Sequence, residues 1–373
     1  MVLGTGIFLF SLSPMAAAEF SLSRLEMASR SWVDDGNFTL SSVVSADLSL
    51  SGGYKYTFLL GFSLDGVEIN RVDSQGYLSF RIAQATIRET FGLPLDLSYF
   101  IGQGDNFATG DEFSTRYGVS PIGTNYRGFF YFPDGIGGDI NRRYNGIHRA
   151  QGTGLSLSLT HWENLVPMVY LYHDFLHPPG AIINEEGENL YSGDLRVLLN
   201  QNWLKIEFFG GSSWKSDGAI KFRGGLMAHI GAGDGAEFFA QVGVPGWSEG
   251  DPVIDHLFLL LEPRLRLDRF AMFLTFFYRP IEYHNIVTLD EKGRADLNIT
   301  FQYGDFDGGM AGGIELGGRL KVDGSEDVGF RLAPFGTLLT GGLRWDAKVL
   351  FKFLGTESSQ GMMELFLGVR TAF

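Results

Sequence analysis

The chain has 373 residues, among them 51 glycines, 33 phenylalanines and 14 tyrosines, with no cysteine and a formal charge of −14. That length is large for one ordinary soluble domain, yet composition is even from end to end and marks no seam between two. The negative charge argues against nucleic acid as a partner, since phosphate binding wants a basic face.

At the N-terminus, Val2 to Leu12 is apolar and is followed by Ser13-Pro14-Met15-Ala16-Ala17-Ala18. An apolar stretch of that length ending in Ala-x-Ala reads as a secretory signal over residues 1–18, cut after Ala18, leaving 19–373 as one barrel. No Lys or Arg precedes Arg24, so the usual positive start is missing. The other reading is an apolar first strand. Past this point no apolar run of about 18 residues occurs, so no transmembrane helix is expected. A spanning barrel escapes that test, because lipid-facing and lumen-facing residues alternate and average out. Absence of cysteine suits a barrel closed by backbone hydrogen bonds in an oxidising compartment, although a cytosolic chain can lack it too.

From Phe20 onward the chain alternates with period 2 between turn residues. Strands are expected over 20–32, 37–50, 54–64, 77–89 and 94–104, then over 152–161, 164–175, 190–201, 204–214, 219–230, 236–244 and 253–267. The series ends with 270–279, 295–304, 312–322, 327–338, 342–354 and 361–373. That gives about eighteen strands, with sixteen nearly as good. Leu343, Trp345, Ala347, Val349, Phe351 and Phe353 alternate with Arg344, Asp346, Lys348, Leu350, Lys352 and Leu354, an apolar face against a largely charged one.

The connections alternate in kind. Short ones fall at 51–53, near Gly92, and at Glu163, Asn202, 231–235, 268–269, 305–311 and 340–341; mostly longer ones lie between them. Counted back from the C-terminus, the short set falls on one rim. A transmembrane antiparallel up-and-down barrel has this asymmetry, with short periplasmic turns and longer external loops. Tyr54, Trp162, Trp203 and Phe270 sit beside short turns, and Tyr77, Tyr191, Trp214, Trp247 and Tyr278 at loop ends, as interfacial belts require.

The last strand runs Glu364-Leu365-Phe366-Leu367-Gly368-Val369-Arg370-Thr371-Ala372-Phe373. Its mostly apolar outward positions and final Phe373 resemble the terminal assembly signal of bacterial outer-membrane barrels, here carried by Gly368 and Phe373. The resemblance is porin-like and one of pattern over the whole chain. It implies a Gram-negative-type envelope, location in the cell outer membrane, and as partners membrane lipid, barrel-insertion machinery and small hydrophilic solutes. A homotrimer is one oligomeric state open to such a barrel.

Two features bear on function. The stretch 105–151 follows the fifth strand, where the porin resemblance implies a loop folded into the pore; Asp111, Glu112, Asp134 and Asp139 are its constriction candidates, and the plainer reading is a surface flap. The inferred inward face is rich in cations, with Arg81, Arg196, Arg223, Arg319, Arg344, Lys348 and Lys352 as pore-lining candidates. Charges along an aqueous lumen set ion preference, and the loop acids are expected to face Arg81, Arg344 and Lys348. The alternative is a packed interior whose charges pair. No catalytic, nucleotide-binding or metal motif is present, so neither enzyme nor cofactor is expected, and His161 reads as a rim histidine. The expected function is passive diffusion of small hydrophilic solutes or ions. The rival is a barrel whose work lies outside: an adhesin, a phage or host-surface receptor, or a structural surface protein.

Overall fold

The computed structural model describes residues 18–34, 37–68, 77–119, 146–159, 162, 164–175, 189–215, 218–233, 235–250, 252–279, 282–283, 286–287, 294–305, 309–321, 328–354 and 363–371. Residues 1–17, all but the last of the expected signal 1–18, lie outside this set.

Strands of 9 to 17 residues, long enough to cross a bilayer at a tilt, account for nearly all of the structure. In chain order they are β1 (Glu19–Asp34), β2 (Asn37–Gly53), β3 (Tyr56–Glu68), β4 (Tyr77–Ile87), β5 (Asp96–Phe107), β6 (His148–Ser158), β7 (Leu165–Phe175), β8 (Asn189–Gln201), β9 (Leu204–Lys215) and β10 (Ile220–Gly233). There follow β11 (Ala236–Ser248), β12 (Phe258–Leu267), β13 (Phe270–Arg279), a two-residue-strand hairpin β14 (Glu282–Tyr283) and β15 (Ile286–Val287), then β16 (Arg294–Gly304), β17 (Met310–Lys321), β18 (Val328–Thr340), β19 (Leu343–Leu354) and β20 (Met363–Thr371). One helix, α1 (Asp111–Tyr117), follows β5.

Eighteen of these strands form one antiparallel sheet in which each pairs with the next along the chain, β13 passing directly to β16. β20 returns to β1, with Glu26 opposite Arg370 and Trp32 opposite Glu364, so the sheet closes. Closure leaves no edge, and the wall's backbone polar groups find partners without water. The count is eighteen, not sixteen. Two-residue turns at 54–55, 202–203, 268–269 and 341–342 occupy one rim, and the long connections lie on the other.

Side chains alternate as the register demands. In β8, Tyr191 and Leu195 are exposed on the outer wall, while Ser192, Asp194, Arg196 and Leu198 are buried inside. In β19, Trp345 and Phe353 look outward and Asp346, Lys348 and Leu350 inward. Leu320 is likewise exposed on the outer wall.

The connection after β5 is shorter than 105–151. β5 runs on to Phe107 and β6 begins at His148, because beyond a register shift Asn106 pairs with Arg149 and Phe107 with His148. Gly102 and Gly152 face each other on these two strands, at φ +101° and +130°. A β-carbon would lie 2.2 Å from the Arg81 carbonyl at the first and 2.0 Å from the His173 carbonyl at the second. Only glycine fits there, and the two open the bend from which the chain leaves the wall.

The inner face is not uniformly polar. Phe209, Phe239, Phe258, Leu260 and Phe277 are buried inside with Val166, Met168, Tyr170, Tyr172 and Leu198. Doubled aromatics explain much of this: Phe208-Phe209, Phe238-Phe239 and Phe276-Phe277 each place one ring on either face of the wall.

Candidate functional site

The site is the lumen and the segment that enters it. After Phe107 the chain passes through Ala108 at φ +54° and Gly110 at φ +78°, then makes α1, which Gly118 ends in a left-handed conformation. Phe107, Ala108, Phe113, Val119 and Ile147 join the aromatic cluster on the inner wall. The described flanks of the connection therefore lie inside the barrel.

Polar contacts fix this entry. The Ala108 amide donates to Glu207 Oε1 at 2.5 Å, and its carbonyl accepts from Gln241 Nε2 at 2.8 Å. Arg196 Nε donates to the same Glu207 oxygen at 2.8 Å, and its guanidinium lies 5.2 Å from the Phe107 ring centroid. Returning, Ile147 enters a notch between Gly225 and Gly243, which are paired on β10 and β11; a β-carbon at either would come within 3.0 Å of its Cδ1. Tyr170 donates to Asp105 at 2.6 Å. On α1, burial raises the pKa of the Tyr117 phenol and outweighs the pull of Arg116, so the ring stays neutral.

Beside this entry lies a second network. Arg223 grips Asp194 through Nε at 2.6 Å and Nη2 at 2.9 Å, and its Nη1 donates to Ser213 at 2.5 Å. Tyr172 donates to Asp194 at 2.8 Å and sits 3.1 Å from His148 Nε2. Nearer the short-turn rim, Arg264 lies 4.3 Å over the Phe239 ring and 2.6 Å from Glu262, whose other oxygen accepts from Thr275.

The expected pore-lining residues divide into two sets. Arg196, Arg223 and Lys348 face inward but are buried in ion pairs, Lys348 with Glu315. This corrects the expectation that they line water. Phe107 and Glu112 of the inward segment lie against Arg196, while Asp194, Tyr172 and Ser213 of the wall close in Arg223. Lys348 reaches across β18 to Glu315 on β17. Arg81, Arg344 and Lys352 keep 40%, 31% and 21% side-chain exposure while standing 3.2 Å from Asp47, 3.8 Å from Asp346 and 2.7 Å from Glu364. Arg319 pairs with Asp296 in the ladder, and its side chain lies outside the described residues.

Of the constriction candidates only Glu112 has a described side chain, and it is not brought opposite Arg81, Arg344 and Lys348. Glu112 instead lies 2.5 Å from Arg116 and 3.9 Å from Arg196, because α1 hugs the wall near β8. Asp111 opens α1, with its side chain outside the described residues, as are Asp134 and Asp139 entirely. Gly368 lies in β20 between Ala28 and Asp346; Phe373 and His161 are outside the described set. The Glu207–Gln241 grip on Ala108 escaped the sequence reading, because nothing local to Glu207 or Gln241 marks a partner about a hundred residues away.

An inward segment inside a closed eighteen-stranded wall defines a porin-like transmembrane barrel at the level of fold. No protein-family model matches the chain, and no curated protein does. Among solved structures it is similar to OccK2 (OpdF) of Pseudomonas aeruginosa, at 12% identity and TM-score 0.52, over 95% of this chain and 96% of that one. Salmonella typhi OmpF in complex with daunomycin aligns at 11% identity and TM-score 0.49, over 96% and 98%. A mutant Rh. blastica porin aligns at 13% and 0.49, over 95% and 100%. The first of these likenesses carries the fold.

Proposed function

We propose that this protein is an outer-membrane channel for passive diffusion of small hydrophilic solutes or ions, working without catalysis or cofactor. The observation that carries the proposal is the closed eighteen-stranded wall, apolar outside and charged inside. A barrel of that size is too wide for its own side chains to fill. Arg81, Arg344 and Lys352 reach water from the inner face beside Asp47, Asp346 and Glu364, so charges of both signs would meet the path. The connection 108–147, led inward by Phe107 and Ala108, is the proposed constriction.

The buried pairs made by Arg196, Arg223 and Lys348 favour a second reading, a filled barrel that serves as a surface receptor or structural protein. Swelling of liposomes in sugars of graded size separates the two. The channel reading expects swelling that depends on the protein and falls with solute size. Liposomes that hold their volume in every sugar would leave the surface reading in its place.

A further inference from the structure

On the outer wall of β16–β20 and β1, close to the short-turn rim, lies a groove of about 1260 Å³. Register explains its floor. Gly312 lies opposite Gly336, Gly336 opposite Ala347, and all three face outward, so three adjacent strands present almost no side chain. Tyr303 and Trp345, both well exposed, stand beside this floor. At its mouth the turns supply Arg269 with Asp268 and Asp305, all exposed: one cation and two carboxylates among the described residues.

We propose that this groove holds an acyl chain of a phospholipid whose headgroup is a phosphoethanolamine, with the phosphate on Arg269 and the ammonium between Asp268 and Asp305. The proposal rests on the membrane-spanning reading of the barrel. Aromatic rings at the groove's edge are suited to headgroup depth, and an apolar recess below them is suited to a chain. The charges choose among lipids. Two carboxylates beside the arginine oppose a purely anionic headgroup, and a choline ammonium has no N–H to donate to them.

The test is native mass spectrometry of the full chain in detergent, with phosphatidylethanolamine, phosphatidylglycerol and phosphatidylcholine of matched acyl chains. One phosphatidylethanolamine is expected to stay bound per chain, with the other two held about tenfold more weakly. Gly336→Phe is expected to abolish retention, since a β-carbon at 336 meets nothing within 4 Å and the ring can fill the groove without moving the strand. Asp268→Asn with Asp305→Asn is expected to bring phosphatidylethanolamine down to the phosphatidylcholine level. Arg269→Ala, on an exposed turn, is expected to weaken all three lipids and serves if Gly336→Phe does not assemble. Equal retention of the three lipids, or retention untouched by Gly336→Phe, overturns the proposal. So does a dimer that Gly336→Phe abolishes, which makes the groove a contact between copies. A chain that partitions into buffer without detergent contradicts the membrane reading itself.

Discussion

Arg223 is almost fully buried, held by both oxygens of Asp194, the Ser213 and Tyr172 hydroxyls and the Ser212 carbonyl. Removing one member of such a pair leaves the other charge buried and uncompensated. Arg223→Met is therefore expected to destabilise the barrel by about 3–5 kcal/mol, and Arg223→Met with Asp194→Leu to recover part of that loss. Unfolding in urea, followed by the heat-modifiable gel shift, measures both; a single variant as stable as the parent would show that the pair contributes nothing. Gly152 makes a separate case. Any side chain there meets the His173 carbonyl at a backbone angle that L residues rarely adopt, so Gly152→Ala should cost on the order of 1–3 kcal/mol by the same assay.

Among the elements, β19 shows how far alternation carries. Trp345, Phe351 and Phe353 were legible as the lipid face and Lys348 as inward, because a period of two leaves a strand between lipid and lumen no other register. If Phe351 lies near the bilayer midplane, Phe351→Arg is expected to cost about 2–4 kcal/mol. Burial was not legible. That Lys348 meets Glu315 rather than water depends on the registers of β17 on β18 and of β18 on β19, which no single segment displays. The inward segment is similar: its length and place after the fifth strand could be read, its seat could not. Gly225→Ala should crowd Phe209 and Ile147 and loosen that seat. Proteolysis of folded protein, mapped by mass spectrometry, should then cut faster between 108 and 147; unchanged cutting would mean that the notch does not hold the segment.

Across the whole molecule, alternation, the parity of the connections and the terminal strand were enough to give a closed antiparallel barrel, because these are set by backbone pairing and by the contrast between lipid and lumen. What they did not give is how the interior is shared between packed aromatics and water. The doubled aromatics at 208–209, 238–239 and 276–277 were the available sign of a partly filled lumen. The assembly role proposed for Phe373 belongs to this scale as well. Phe373→Asp is expected to leave the chain in the periplasm or degraded, as membrane fractionation would show, and normal outer-membrane levels would remove that role.

The central claim is an aqueous path narrowed by the segment that enters after β5. Single-channel recording in planar bilayers tests it most directly, comparing the full chain with one in which residues 120–145 are replaced by a short glycine–serine link. Discrete conductance steps are expected from the full chain and larger ones from the shortened chain. No steps from either, or steps of equal size from both, would contradict the account.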